Sequence, residues 1–219
     1  MIKNLIFDMG NVIIRFDPDL FIGRLGLTPA DSKLLKREIF QSLEWAMQDR
    51  GSLTEAESSG IICRRVPQHL QDAVKELIFH WNRPLLPVEG MEALLRGCKE
   101  NGYRIFLLSN ASSRLHEYWP DVPGQQYFDD LLVSADVGLV KPEPELFRLA
   151  MERFQIRPDE TVFIDDLSLN AEAAYHAGMH AIVFYNDVPR LRRELNDLGV
   201  RTVAQGDGSL CENRTGGQI

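Results

Sequence analysis

The spacing of apolar and polar positions changes character along the chain. Ile2 to Phe7 form a short apolar run that ends on Asp8-Met9-Gly10-Asn11, a stretch that cannot easily continue a strand. Residues 1–14 therefore read as a buried strand and its exit loop. From Asp17 to about His80 the period becomes helical: Leu34, Leu35, Ile39 and Leu43, then Val74, Leu77 and Ile78, recur between charges. This predicts a helical insert. Gly51-Ser52-Leu53-Thr54-Glu55 offers a break and an N-cap within it, and Pro84 and Pro87 mark the return to the main body.

Beyond Val88 predicted helices and strands alternate. Val88, Met91, Leu94, Leu95 and Cys98 form a helical stripe stopped by Asn101-Gly102, and Tyr103 to Leu108 predicts a strand ending on Ser109-Asn110. A helix follows from Ser112 or Ser113 to Trp119, closed by Pro120; Leu131 to Val133 is a third strand, and Ser134 to Val140 reads as a loop. Pro142, Pro144 and Glu145 open a helix whose apolar side holds Leu146, Leu149, Ala150 and Phe154. Thr161 to Ile164 predicts a strand ending on Asp165-Asp166, Asn170 to Ala177 a helix capped by Gly178, Ala181 to Tyr185 a fifth strand, and Val188 to Leu198 a last helix. Such alternation indicates a parallel sheet covered on both faces. The expected organisation is a Rossmann-like α/β core over residues 1–16 and 86–200, a small helical cap over 17–85, and a polar tail over 201–219 that is poorly ordered from about Gln205.

The 219 residues, 44% hydrophobic and 26% charged, suit a globular protein of one large or two modest domains. A net charge of -8 argues against nucleic acid or a membrane surface as partner, since both require a basic face. No apolar run approaches the ~20 residues of a membrane span, and the start of the chain lacks a signal-peptide cleavage pattern. Cys63, Cys98 and Cys211 are odd in number, far apart and without metal-ligand spacing, as in a reducing compartment. The expected location is the cytoplasm; monomer and homodimer both stay open.

Asp8, Ser109-Asn110, Lys141 and Asp165-Asp166 all fall at or just after the ends of predicted strands. A parallel sheet brings such ends to one edge. Singly, each has an ordinary explanation: a turn-forming Asp, a polar turn, a solvated loop lysine, acids near a helix start. Together they are the parts of a phosphoryl-transfer site: a carboxylate nucleophile, donors for phosphate oxygens, a fixed cation, and acidic ligands for Mg2+.

In this order the residues resemble the haloacid dehalogenase (HAD) superfamily of phosphatases, from the start of the chain to about Leu198. Asp8-Met9-Gly10-Asn11-Val12 matches its first motif, Ser109-Asn110 the second, Lys141 the third, and Asp165-Asp166 with Asn170 the fourth. The string Ser109 to His116 with Trp119-Pro120 is similar to a narrower group containing a bacterial α-D-glucose-1-phosphate phosphatase, which also has Gly at the position of Gly10. The resemblance implies that Asp8 attacks phosphorus and forms an aspartyl-phosphate. It implies that Asp8, the carbonyl of Gly10 and Asp166 ligate Mg2+, with Asp165 acting through water. Ser109 and the amide of Asn110 would hold phosphate oxygens, and Lys141 would neutralise both phosphate and Asp8. Asn170 stands where many relatives have Asp.

Gly10 is a departure, because most phosphatases of the superfamily carry a second Asp there as general acid and base. That help is worth about 10²- to 10⁴-fold, or roughly 3 to 5 kcal/mol. Three readings follow. The first is a Mg2+-dependent phosphomonoesterase for a small phosphorylated metabolite, a sugar phosphate such as glucose 1-phosphate, whose anomeric leaving group needs little protonation. The second is a metal-independent 2-haloacid dehalogenase, which lacks the acidic pair of Asp165-Asp166. The third is a non-catalytic phosphate-binding protein. Glu44 in the insert and His116 beside the second motif are the candidate substitutes for the missing acid.

Overall fold

The computed structural model describes residues 1–203. Its strands β1 (Asn4–Phe7), β2 (Arg104–Ser109), β3 (Asp130–Val133), β4 (Thr161–Asp165) and β5 (His180–Val183) form one sheet in the order β3-β2-β1-β4-β5. Every pairing is parallel. The chain leaves β1 towards β2 and β3, and leaves β4 in the other direction towards β5. The ends of β1 and β4 are therefore a topological switch point, where open α/β sheets bind ligands. Phe7 lies in register with both Leu107 and Ile164, so the residues following these three strands meet at one edge.

Five helices fill the insert: α1 (Pro18–Gly23), α2 (Pro29–Leu35), α3 (Leu43–Asp49), α4 (Glu55–Arg65) and α5 (Gln71–His80). Their starts are written locally. Asp17, Thr28 and Ser42 cap α1, α2 and α3, and Thr54 with Glu57 closes a capping box on α4. The insert has its own apolar core, built on Phe21, Ile22, Leu35, Ile39, Ile62 and Leu77. Phe16, on the segment entering it, meets the rings of Phe21, Phe40, Trp45 and Trp81 at centroid distances of 5.5, 5.9, 5.7 and 5.1 Å. That aromatic cluster ties the entry of the insert to its exit.

The remaining helices are α6 (Met91–Glu100), α7 (Leu115–Tyr118), α8 (Ser134–Val137), α9 (Pro144–Phe154), α10 (Ser168–His176) and α11 (Val188–Asp197). Alternation along the strands splits the core. Leu5, Phe7, Ile105 and Ile164 pack with Leu94 of α6 and Leu191 of α11. Ile6, Phe106 and Phe163 face the other way, onto Phe147 of α9 and Ala174 of α10.

The structure corrects two expectations. Ser134 to Val140 is not all loop: its first four residues make α8, a single turn too short to show a period, closed by left-handed Gly138 donating to the Ser134 carbonyl. The helix expected from Ser112 begins only at Leu115, and passes at Trp119 into a tighter turn containing Pro120. Thr202 is buried and its carbonyl accepts from Arg192 at 2.6 Å, while Arg201 and Val203 on either side are exposed; the expectation for the tail from Gln205 onward lies outside the described residues. No helix among the described residues is long and apolar enough to cross a membrane.

Candidate active site

Asp8 follows β1 directly, fixed by its N–H donating to the Ile164 carbonyl of β4 at 2.9 Å. Asp165 ends β4, and Lys141 arrives from the segment between α8 and α9. The Lys141 ammonium donates to Asp8 Oδ1 at 2.6 Å, to Asp165 Oδ2 at 2.7 Å and to the Leu108 carbonyl at 2.9 Å. All three ammonium hydrogens are used, and its side chain is 1% exposed. Asn110 holds the lysine by its backbone: its side-chain amide donates to the Lys141 carbonyl at 2.9 Å and accepts from the Lys141 N–H at 2.8 Å. The sequence-predicted residues of four separate motifs thus converge on one buried ion cluster.

Burial pushes the Asp8 carboxyl up to about 7; Lys141 opposes the rise, while Asp165 and Asp166 add to it. Burial alone would lower Lys141, but the two carboxylates more than offset it and hold the ammonium above its usual range. Asp166 is also raised, chiefly by burial, against a hydrogen bond from Asn11 at 3.1 Å. One cation facing three acids leaves the cluster short of positive charge.

Asp8, Asp165 and Asp166 each offer an oxygen, all within 4.8 Å of one another. Hard oxygen donors with a net negative charge fit a small divalent ion such as Mg2+. The two members of the acidic pair are not equivalent. Asp165 accepts from Lys141, from the Leu167 N–H and at both oxygens from Asn170, so its lone pairs are committed to the protein. Among the described residues, Asp8 Oδ2 and Asp166 Oδ1 accept no hydrogen bond, which leaves them open to an ion.

These groups line a cavity of about 270 Å³ between core and insert. The core side contributes Asp8, Gly10, Ser109, Asn110, Lys141 and Asp166; the insert contributes Trp45, Gln48, Asp49 and Glu55. Ser109 is buried, and its hydroxyl makes no hydrogen bond to a described residue. Gln48 Nε2 and Glu55 Oε1 are likewise buried and unpartnered, an arrangement costly unless a ligand or water answers it.

Neither expected substitute for the missing acid reaches the cavity. Glu44 is clamped by Arg65 through two 2.8 Å bonds, and that guanidinium holds its carboxyl below the usual range. His116 is half-exposed and faces Asp136 at 2.7 Å. Asp49, the last residue of α3, lines the cavity although no motif in the sequence singles it out. A signal was present: an acid at a helix C-terminus opposes the helix dipole and calls for a reason.

The chain belongs to the haloacid dehalogenase-like hydrolases, whose family model matches residues 2–178. Within that class it is 30% identical over 194 residues to D-ribitol-5-phosphate phosphatase of Bacteroides thetaiotaomicron, covering 81% of this chain and 89% of the relative. It is also similar to drimenol cyclase drtB of Aspergillus calidoustus, 24% identical over 98% of this chain, which spans 40% of that relative's length. A HAD family enzyme of Bacteroides thetaiotaomicron, crystallised with magnesium and inorganic phosphate, superposes with a TM-score of 0.64 at 26% identity, covering 87% of this chain and 99% of its own.

Proposed function

We propose that the protein is a Mg2+-dependent phosphomonoesterase acting on a small sugar or sugar-alcohol phosphate through an aspartyl-phosphate on Asp8. The observation that carries this reading is the Lys141 ammonium shared by Asp8 and Asp165, with Asp166 beside them and a cavity above. Lys141 holds the Asp8 carboxylate in one orientation at the cavity, ready to attack phosphorus. The Ser109 hydroxyl and the backbone N–H of Asn110 line the cavity as donors for phosphoryl oxygens. Asp8, Asp166 and the Gly10 carbonyl would hold Mg2+, which would supply the positive charge that lets a phosphate dianion approach three acids. Asn170 and the Leu167 N–H keep Asp165 fixed beneath Lys141. Committing that carboxylate to structure preserves the lysine's position through the reaction.

The substrate class rests on the insert side of the cavity. Gln48 and Glu55 bring an unpartnered donor and an unpartnered acceptor, next to the aromatic surface of Trp45, Phe16 and Trp81. Hydroxyl groups satisfy both at once, and the aromatic rings suit the C–H faces of a polyol. The relative named for D-ribitol 5-phosphate and the motif shared with a glucose-1-phosphate phosphatase group support the same class. Phosphate release from a panel of sugar, sugar-alcohol and simple alkyl phosphates, with Mg2+ or EDTA and with Asp8→Asn as control, tests it. Turnover on polyol phosphates that is lost with EDTA and with Asp8→Asn is expected. Turnover that persists in EDTA, or an inert wild-type protein, refutes it.

A further inference from the structure

Gly10 brings no side chain that could protonate the leaving alcohol. The vacancy is chemical, not steric: a Cβ on Gly10 would meet only Phe16 Cβ at 3.7 Å and Asp8 Oδ2 at 3.9 Å. We propose that the Asp49 carboxyl, carried by the insert and lodged in the Asp8 cavity, is the general acid and base of the reaction. This rests on the phosphatase reading and adds a residue to it.

The geometry around Asp49 is that of a held side chain. Its own carbonyl accepts from Ser134 Oγ of α8. Arg50, the next residue, donates to Glu143 and, at 3.1 Å, to the Gly138 carbonyl. Gly51 then runs so close to α8 that a Cβ there would lie 2.2 Å from the Ala135 carbonyl oxygen. Three successive residues of the insert are therefore fastened to the core, and the first of them lines the wall opposite Lys141. Among the described residues its carboxyl takes part in no hydrogen bond or ion pair, unlike Asp165 and Asp166. It sits at the end of α3 where the dipole disfavours a negative charge, so local structure gives no reason for an acid here.

The groups that act on it electrostatically are Asp8, which raises it, and Lys141, which lowers it; burial is the largest influence, and together they push the carboxyl up to about 8. Tyr118, which reaches the cavity from α7 on the core side, is raised chiefly by its own burial, against Arg114 and with Asp49 and Glu55 adding to the rise. Asp49 thus carries a proton near neutral pH, as a general acid must. As Asp8 attacks phosphorus and the ester P–O bond breaks, the departing oxygen takes the Asp49 proton and leaves as an alcohol. Asp49, now a carboxylate, takes a proton from the water that attacks the aspartyl-phosphate. The Asp8–P bond breaks, inorganic phosphate leaves, and both acids return to their starting forms.

The test compares a sugar-alcohol phosphate with p-nitrophenyl phosphate, whose leaving group needs no proton, in the presence of Mg2+. With Asp49→Asn, kcat on the alkyl ester is expected to fall about 10²- to 10⁴-fold. On the aryl ester the same variant is expected to release about one nitrophenolate per active site in a burst and then turn over slowly, because the aspartyl-phosphate waits for its base. Asp49→Ala gives the same signature if Asn perturbs the fold, and Glu55→Gln is expected to raise KM without a burst. An equal fall on both esters without a burst, unchanged alkyl turnover, or a burst in Glu55→Gln but not in Asp49→Asn overturns the assignment. Wild-type protein inert to both esters removes the phosphatase reading itself, and this assignment with it.

Discussion

At the scale of single residues the site is a problem in buried charge. Lys141 is sealed among acids and a carbonyl, so removing it uncovers Asp8 and Asp165 together. Lys141→Met is expected to destabilise the fold by about 3 to 5 kcal/mol, read as a drop in urea midpoint at unchanged slope. Adding Asp8→Asn should recover part of the loss, since one of the stranded charges is then gone. Asp49 poses the reverse problem. Its folded carboxyl is raised above its unfolded value of 3.8, to about 8, so the folded state binds the extra proton. Its contribution to stability is whole below about pH 4 and is lost as pH rises through 8, with a slope of up to ~1.4 kcal/mol per pH unit. Asp49→Asn should therefore gain stability over wild type as pH rises from 5 to 8.5, measured by chemical denaturation at each pH. A constant difference across that range would count against a proton held on Asp49.

At the scale of elements the important junction is the end of α3 against α8. Gly51 has a φ of 75° and no space for a side chain. Gly51→Ala must push α3 away from Ala135, and is expected to cost about 1 to 3 kcal/mol while lowering kcat on alkyl phosphates more than the thermal midpoint suggests. Paired melting and steady-state kinetics would show both. This junction also marks the limit of what the sequence discloses. The strands were legible because β1, β2 and β4 are buried on both faces and read as apolar runs, and each ends on a polar residue that the sheet edge gathers. Asp8, Ser109 and Asp165 stand at those strand ends, whereas Lys141 lies beyond α8 and stood out only by its place in the order of the four motifs. Ser134 to Val137 make only one turn, so no period shows, and Asp49 gains its position solely through contact with that turn. Glu44 and Asp49 look alike in the sequence; a guanidinium 21 residues downstream neutralises one, and docking exposes the other to the cavity.

At the scale of the whole molecule, two of the contacts that join core and insert differ in kind. The crossing segments are paired by backbone, Arg15 N–H to the Leu86 carbonyl at 2.7 Å and Val88 N–H to the Ile13 carbonyl at 2.9 Å. The second attachment is at residues 49–51, where the Arg50–Glu143 pair has side chains 40% and 32% exposed. The first has the character of a hinge, and the second of a clasp made partly in water. Exposed ion pairs are worth no more than about 1 kcal/mol and weaken with salt. Arg50→Ala should raise KM by a few-fold and flatten the salt dependence of kcat/KM, measured across a sodium chloride series. If instead the variant keeps the wild-type salt response, the clasp lies elsewhere. The same junction also holds the Ser134 Oγ bond to the Asp49 carbonyl, so the Arg50–Glu143 pair is the part of it that answers to the ionic strength of the surroundings. A dilute medium is therefore expected to lengthen the stay of substrate and product alike, and a salty one to shorten it, with no change in the chemistry between them.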